Sequence, residues 1–430
     1  MTDAAHPTAN GGLDQFIPIR KSDIQSALLE HGAFKSNEDR EKFRRLCDMV
    51  AAIYHYDYFR TLERLRNDYY YFSPEVVPHA ALDRAVRERC YGDLVHSLEQ
   101  VLKDANFTAL PYAEIGDAHR RRAGHRVEVK APLHDFREIR FWRRGRHAER
   151  CEVADWFGLF HHEVEAEVFD DVVLMVAMKP RDEIGSPREL KTLARRKIVP
   201  GSVLLKYFRN IAGGDLNALF PNVRVVMSTR DKLALGLPAL AGGIPILLKI
   251  YATITVLFLV IGFYLGKNAS VEDKDIATAF AALGGLLALG GFVVQQWVKY
   301  QWKSLRYQNE LTDNVYYRNI NNNAGIFDYL IGAAEDQECK EAFLAYYFLH
   351  TAAAPPTADE LDGRIEAWLR QTFGVEIDFA VNGALGKLEG LSLLRRQQER
   401  LFVSPLDGAI AQLQAVWDRF FGSRPQAADK

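Results

Sequence analysis

The side chains best placed to hold a metal ion are His161, His162, Glu163, Glu165 and Glu167, all within one short stretch. Imidazole and carboxylate donors together suit zinc or a harder divalent ion. The stretch HHEVEAEVF alternates like a strand, so Glu163, Glu165 and Glu167 fall on one face beside His161. An exposed acidic strand face uses the same residues without a metal, and no metal ligand is assigned. Gly213-Gly214-Asp215 ahead of a short helix could cradle a phosphate on backbone N–H groups, yet a plain helix cap accounts for the same residues. No Walker A loop, GxGxxG, GxSxG or HExxH occurs in the chain. No catalytic residue and no cofactor are therefore assigned.

A second concentration of chemistry is electrostatic. Residues 119–150 carry a surplus of seven positive charges, although the whole chain of 430 residues has a formal charge of only -2. Arg137, Arg140, Arg143, Arg144 and Arg146 lie in REIRFWRRGRHAERCEV, which alternates like a hairpin turning near Gly145. Beside a bilayer such a patch attracts anionic lipid headgroups, each base adding about 1 kcal/mol at the surface. Nucleic acid and a simply solvated strand face compete with that reading. Cys47, Cys90, Cys151 and Cys339 are too scattered for a disulfide framework or a zinc ribbon, and they suit a reducing compartment. The first residues, MTDAAHPTANGGLDQ, read as neither a signal nor a transit peptide.

The elements that would position these groups begin with two long apolar runs. Ile244–Leu265 and Ile276–Trp297 each reach the roughly 20 residues a helix needs to cross a bilayer. Gly266 can end the first helix and Ser270, Asp273 or Asp275 can cap the second, which makes a hairpin. Lys249 is the one charge inside the first run and lies near enough to its end to snorkel outward. Basic residues flanking the pair outnumber those between, so the large domains are expected on the cytosolic side. Ala277, Ala281, Gly284, Ala288 and Gly291 form a small-residue face on the second helix. Such a face packs against the first helix or supports self-association.

Before the runs, Phe43, Leu46, Val50 and Ile53, and later Leu82, Val86, Cys90, Leu94 and Leu98, keep helical spacing. From about Leu110 the texture turns to β-branched alternation, with EVFDDVVLMVAMKP, SVLLKYFRNI and VRVVM as strands. After the second run, VKYQWKSLRYQNELTDNVYYRN is expected to continue as helix, followed by a helix holding DQECKEAFLAYYFL. Thr357-x-x-Glu360 makes a capping box, and LLRRQQERLFV alternates as a hairpin after two helices, in the manner of a winged helix. The helix that would read a major groove offers only Lys387 against Asp378 and Glu389, so nucleic acid is not an expected partner.

The segment LLKYFRNIAGGDLNALFPNVRVVMSTRDKLALG is built on an F-(K/R)-x-I-x-x-x-D-L-x-x-L-F-P core. Together with ELTDNVYYRNINNNAGIFDYLIGAAEDQECKEAFLAYYFL and IDFAVNGALGKLEGLSL, it resembles the family known as domain of unknown function 3754. The similarity runs over roughly 15–420. Phe208, Arg209, Ile211, Asp215, Leu216, Leu219, Phe220 and Pro221 match the motif, while Ala212-Gly213-Gly214 stands where the family has a proline after the isoleucine. The resemblance implies a two-span membrane protein, mitochondrial in animals and of the inner membrane in a bacterium. It brings no established activity.

The expected architecture is an α+β membrane protein. A disordered tail (1–15) leads into a helical N-terminal region (16–108) and a mainly antiparallel sheet domain (109–236). A two-helix transmembrane hairpin (240–300), a helical extension (301–350), a winged-helix-like C-terminal domain (356–421) and a tail (422–430) follow. The expected function is a non-enzymatic lipid- or protein-binding module held in the bilayer of a bacterial inner membrane, with both terminal domains cytoplasmic. The alternatives are a membrane-associated enzyme with an unidentified site, metal-dependent in one version, and an oligomeric channel or transporter component.

Overall fold

Helical periodicity and capping chemistry lay out the N-terminal half. In a computed structural model of the chain, residues 13–34, 36–75, 83–111, 127–130, 136–155, 160–195, 198–220, 224–227 and 317–422 are described, with single positions between 261 and 305. Side chains of 127–130, 151–166, 217–218, 224–227 and 421–422 lie outside that description. Helix α1 spans Lys21–Glu30 and α2 spans Asn37–Tyr69. Ser36 caps α2, its hydroxyl accepting from the Asp39 amide at 3.0 Å. Helix α3 covers Arg84–Asp104, capped by Asp83.

The sheet follows. Strands β1 (Thr108–Leu110), β3 (Phe136–Asp155), β4 (Phe160–Met178), β5 (Val203–Ala212) and β7 (Asn319–Asn322) form one antiparallel sheet in the order β1-β3-β4-β5-β7. Strands β2 (Val127–Lys130) and β6 (Arg224–Met227) pair separately. Both faces of the main sheet are covered, which is why β4 reads as the near-continuous apolar run VVLMVAM. Trp142, Val173, Met175, Leu205 and Tyr207 point to α2, α3 and the start of helix α5 (Ile326–His350). Phe141, Val172, Leu174, Phe208 and Ile211 point the other way, to Leu193 of α4 (Pro187–Arg195) and to Leu216, Leu219 and Phe220.

A third core belongs to the C-terminal part. Helices α6 (Ala358–Phe373) and α7 (Val381–Gly390), hairpin β8–β9 (Leu394–Gln397 and Arg400–Val403) and α8 (Leu406–Gly422) surround the C-terminal end of α5. The capping box is present: the Thr357 hydroxyl accepts from the Glu360 amide at 3.3 Å, and Glu360 accepts from the Thr357 amide at 2.9 Å. Gly374 ends α6 at φ +70°. Helices α2 and α5 each run through two cores. Phe43–Ile53 of α2 and Cys339–Leu349 of α5 lie in the C-terminal core, whereas Leu65 and Tyr69 of α2 and Ile326–Ala334 of α5 pack under the sheet.

Several expectations need correction. The chain does not turn at Gly145: β3 continues unbroken to Asp155, and Gly145 takes φ +66° within it. A Cβ there would sit 2.1 Å from Asp170 Oδ2, so glycine permits the close approach of β4 rather than a reversal. Residues 319–322, expected as helix, join the sheet as β7. Asp14 and Gln15, placed in a disordered tail, make ordered contacts, the Asp14 carbonyl accepting from the Asp378 amide at 3.2 Å.

The α+β character and the antiparallel sheet stand; the membrane part of the expected fold does not. Among the described residues no helix is long and apolar enough to cross a membrane. The transmembrane hairpin, the integral inner-membrane placement and the cytoplasmic assignment of the terminal domains are corrected on that finding. The longest described helices show why: α2 is strewn with charge, and α5 interrupts its apolar run with Asp336, Glu338, Lys340 and Glu341. Residues 244–260, Lys249 among them, and positions such as Ala281 and Ala288 lie outside the described residues. Ala277, Gly284 and Gly291 are described as helical and exposed, and no described atom lies within 4 Å of a Cβ built on either glycine.

Candidate functional site

Where α5 passes from one core to the other, four polar side chains are buried almost in succession: Gln337, Glu338, Lys340 and Glu341. Buried polar groups need partners, and the partners come from distant segments. Residues 14–17 pass beside α5 without regular secondary structure. Gln337 clamps Ile17 through both halves of its amide, accepting from Ile17 N at 3.3 Å and donating to Ile17 O at 3.2 Å. Lys340 donates to the same carbonyl at 3.1 Å. Asn106, at φ +58° just past α3, donates to Gln15 O at 3.0 Å and to Glu341 at 2.9 Å.

Farther along the seam, Lys387 of α7 reaches Glu338 at 3.0 Å and also pairs with Glu341. Asp104 of α3 accepts from the Tyr58 hydroxyl of α2 at 3.1 Å. Burial pushes the Glu338 carboxyl up to about 7, with Lys387 opposing. Asp104 is also raised by burial, and Lys340 is lowered by it. Lys387 is raised because its two carboxylates outweigh its desolvation.

At the sheet end, register places Arg144, Asp171 and Arg209 side by side on β3, β4 and β5. Arg144 donates to Asp171 Oδ2 from Nε at 2.9 Å and from Nη2 at 2.7 Å, and to Ala105 O at 3.3 Å. Its guanidinium lies over the rings of Phe16 and Phe107, 4.4 and 4.8 Å from their centroids. Arg209 holds Asp171 Oδ1 at 3.2 Å. This cluster is structural in character: Asp171 is held from both sides by guanidiniums, and Arg144 is tied as well to the Ala105 carbonyl.

The other basic candidates are also matched in place. Arg137 forms a bidentate pair with Glu88 (2.9 and 2.6 Å), Arg140 pairs with Glu99 and Glu138, Arg143 lies 3.6 Å from Asp14, and Arg146 contacts Glu167 at 3.3 Å. Each of these arginines thus meets a carboxylate, and all of those carboxylates but Glu138 come from outside residues 119–150. Of the motif positions, Phe208, Ile211, Leu216, Leu219 and Phe220 are core residues on the face of the sheet turned towards α4, Arg209 belongs to the Asp171 cluster, and Pro221 lies outside the described residues. Asp215 lies in the first turn of the short helix Gly213–Leu219.

The side chains of His161, His162, Glu163 and Glu165 lie outside the description, but the backbone ladder places Glu163 opposite Glu152 and Glu165 opposite Arg150. Among the described residues no group of His, Cys, Asp and Glu is arranged to hold a metal ion. A small niche lined by Phe72, Arg87, Tyr91 and Arg137 has both its guanidiniums engaged, Arg87 with Asp182 and Arg137 with Glu88.

One backbone feature stands apart from the seam. Strands β3 and β4 pair all the way from Phe136↔Met178 to Asp155↔Phe160. Their neighbours stop early, β1 at Arg143 and β5 at Val168. The outer part of the pair is a two-stranded ribbon with no described strand on either edge.

Sequence reasoning missed the seam. The signal was present in DQECKE: polar residues on consecutive positions of an otherwise apolar helix cover every side of it, so some must face inward. Asp171, set among apolar residues in a strand buried on both faces, gave a similar signal. Residues 169–325 match a family described as Protein of unknown function (DUF3754). No solved structure matches the chain.

Proposed function

Taking as premise that the chain belongs to the domain of unknown function 3754 family through residues 169–325, we propose that it is a partner-binding module that engages another protein along the β3–β4 ribbon. The supporting observation is the ladder that outruns β1 and β5. An isolated two-stranded hairpin is marginal in water, and its unpaired N–H and C=O groups are a template for another strand. About ten residues per strand at ~3.3 Å each give the ribbon a reach of roughly 30 Å. Backbone pairing along such an edge supplies affinity, and alternate side chains supply selectivity.

The test is to shorten the ribbon. Residues 149–166 are replaced by Asn-Gly, a turn that joins the paired positions Ala148 and Glu167. Proteins cross-linked to the full chain and to the shortened chain in the source cells are then compared by mass spectrometry. The shortened chain keeps its circular dichroism and Tm but loses the partner. An unchanged set of cross-linked proteins rules the reading out.

A second reading concerns self-association. Phe280, Leu287 and Val294 are exposed on described helical positions seven residues apart, with Trp297 and Trp302 exposed beyond them. Apolar residues at that spacing suit a helix–helix seam. Leu287→Glu shifts the sedimentation of the protein to that of a monomer; sedimentation identical to the parent chain removes this reading.

A further inference from the structure

Glu338 and Glu341 pair with a single ammonium, that of Lys387, at the place where the two large cores meet, and the Asp104 carboxylate acts on Glu338 and Lys387 through space. The side chains of Glu338 and Glu341 are 11% and 1% exposed and that of Lys387 is 15% exposed. Three carboxylates and the one buried ammonium leave two negative charges uncompensated within the seam if all are ionised, the exposed Lys103 acting on Asp104 from outside it. Holding both in a place shielded from water is unfavourable, and binding one proton halves the excess.

The groups facing Glu338 come from four helices. Helix α2 presents Tyr54 and Tyr58, α3 presents Asp104, α7 presents Lys387, and α5 itself adds Glu341 and Cys339. Tyr58 is occupied with Asp104. The neighbouring cations on α5 and β3 are committed elsewhere, Lys340 to Asp336 and Ile17 O, and Arg144 to Asp171. Lys387 is therefore the one cation that directly pairs with Glu338 and Glu341 among the described residues.

We propose that Glu338, Glu341, Asp104 and Lys387 form a proton-responsive joint, which holds the C-terminal core against α2 and α3 when it carries a proton and loosens when the proton leaves. The geometry makes the coupling direct. Lys387 rides on α7, whose Leu385 and Leu388 belong to the C-terminal core, and Asp104 ends α3, whose Leu98 and Leu102 pack under the sheet. A change of charge at this point acts on the contact between the two. The upward push on Glu338 from burial puts the change near neutral pH. This device is independent of the ribbon and of any partner that binds there.

The experiment is hydrogen exchange on the full chain at pH 6 and pH 8, corrected for the intrinsic rate, reading amides of Val381–Gly390 and of Leu98–Asn106. A carboxyl that titrates near 7 in the closed joint and near 4.5 in the open one makes opening about tenfold more frequent at pH 8 than at pH 6. Glu338→Gln keeps the pH 6 protection at both values. Asp104→Asn removes one repelling charge and moves the midpoint to lower pH, which separates the proposal from a simple packing defect at Glu338. Protection independent of pH in the parent chain, a tenfold change that persists in Glu338→Gln, or an unmoved midpoint in Asp104→Asn would overturn the joint.

Discussion

At the scale of single residues, Arg144 and Asp171 matter most. Both side chains are 7% exposed, and each is the other's shortest charged partner. Taking away one member of such a pair is far costlier than replacing both, because the survivor is left buried and unpaired. Arg144→Ala strands Asp171 with Arg209 alone, and we expect a loss of about 3–5 kcal/mol in urea unfolding. Arg144→Met with Asp171→Leu recovers most of that loss, since no charge remains inside. Equal destabilisation of the single and double variants would show that packing against Phe16 and Phe107, not the ion pair, carries the effect. Gly145→Ala is a second residue-scale case. It combines a positive φ with a Cβ placed on Asp170, so it destabilises by more than about 1 kcal/mol, whereas Gly-to-Ala at an unstrained strand position would stabilise. Asp170→Gly in the same chain relieves the clash but not the φ, and recovers part of the Tm.

At the scale of elements, α5 shows how a helix buys burial of charge with pH dependence. The Glu338 carboxyl stands at about 7 in the folded protein against an ordinary value of 4.5. Below pH 4.5 folded and unfolded chains both hold the proton. Between about 4.5 and about 7 only the folded chain does, so its stability falls as pH rises across that window, by at most about 3 kcal/mol. Above 7 the contribution is constant. Glu338→Gln removes this slope, and urea midpoints from pH 5 to pH 8 measure it; a slope unchanged in the variant assigns the pH dependence to other groups. The elements themselves were legible from local chemistry. The α6 capping box, the β8–β9 alternation and the helical rows of α2 and α3 need only near neighbours in sequence. The seam was not legible, because residues 14–17, Asn106, Gln337–Glu341 and Lys387 meet only in the folded chain. The same blindness made the arginines of β3 look like an unbalanced patch, since Glu88, Glu99, Asp14 and Asp171 arrive from other elements. Apolar run length likewise gave the 244–265 and 276–297 stretches a membrane reading, which the described helices do not support.

At the scale of the whole molecule, the path of α2 and α5 decides how the described parts come apart. Each helix is continuous through the C-terminal core and the core under the sheet, so neither core can lose its packing without exposing a stretch of both helices. Helical hydrogen bonding is cooperative along a segment, and the seam adds ties from residues 14–17 and Lys387. The expected outcome is a single unfolding transition shared by both cores. Trp142 reports on the core under the sheet, and Trp368 reports on the C-terminal core. With the other tryptophans replaced, fluorescence from either one should follow the same urea curve as circular dichroism. Leu361→Ala, wholly within the C-terminal core, and Leu98→Ala, wholly under the sheet, each remove a fully buried side chain and cost about 2–5 kcal/mol. If the helices couple the cores, each variant lowers the midpoint seen by both tryptophans. Should Leu361→Ala move only the Trp368 curve, α2 and α5 would be acting as two helices joined end to end, and the seam as a hinge between separable halves.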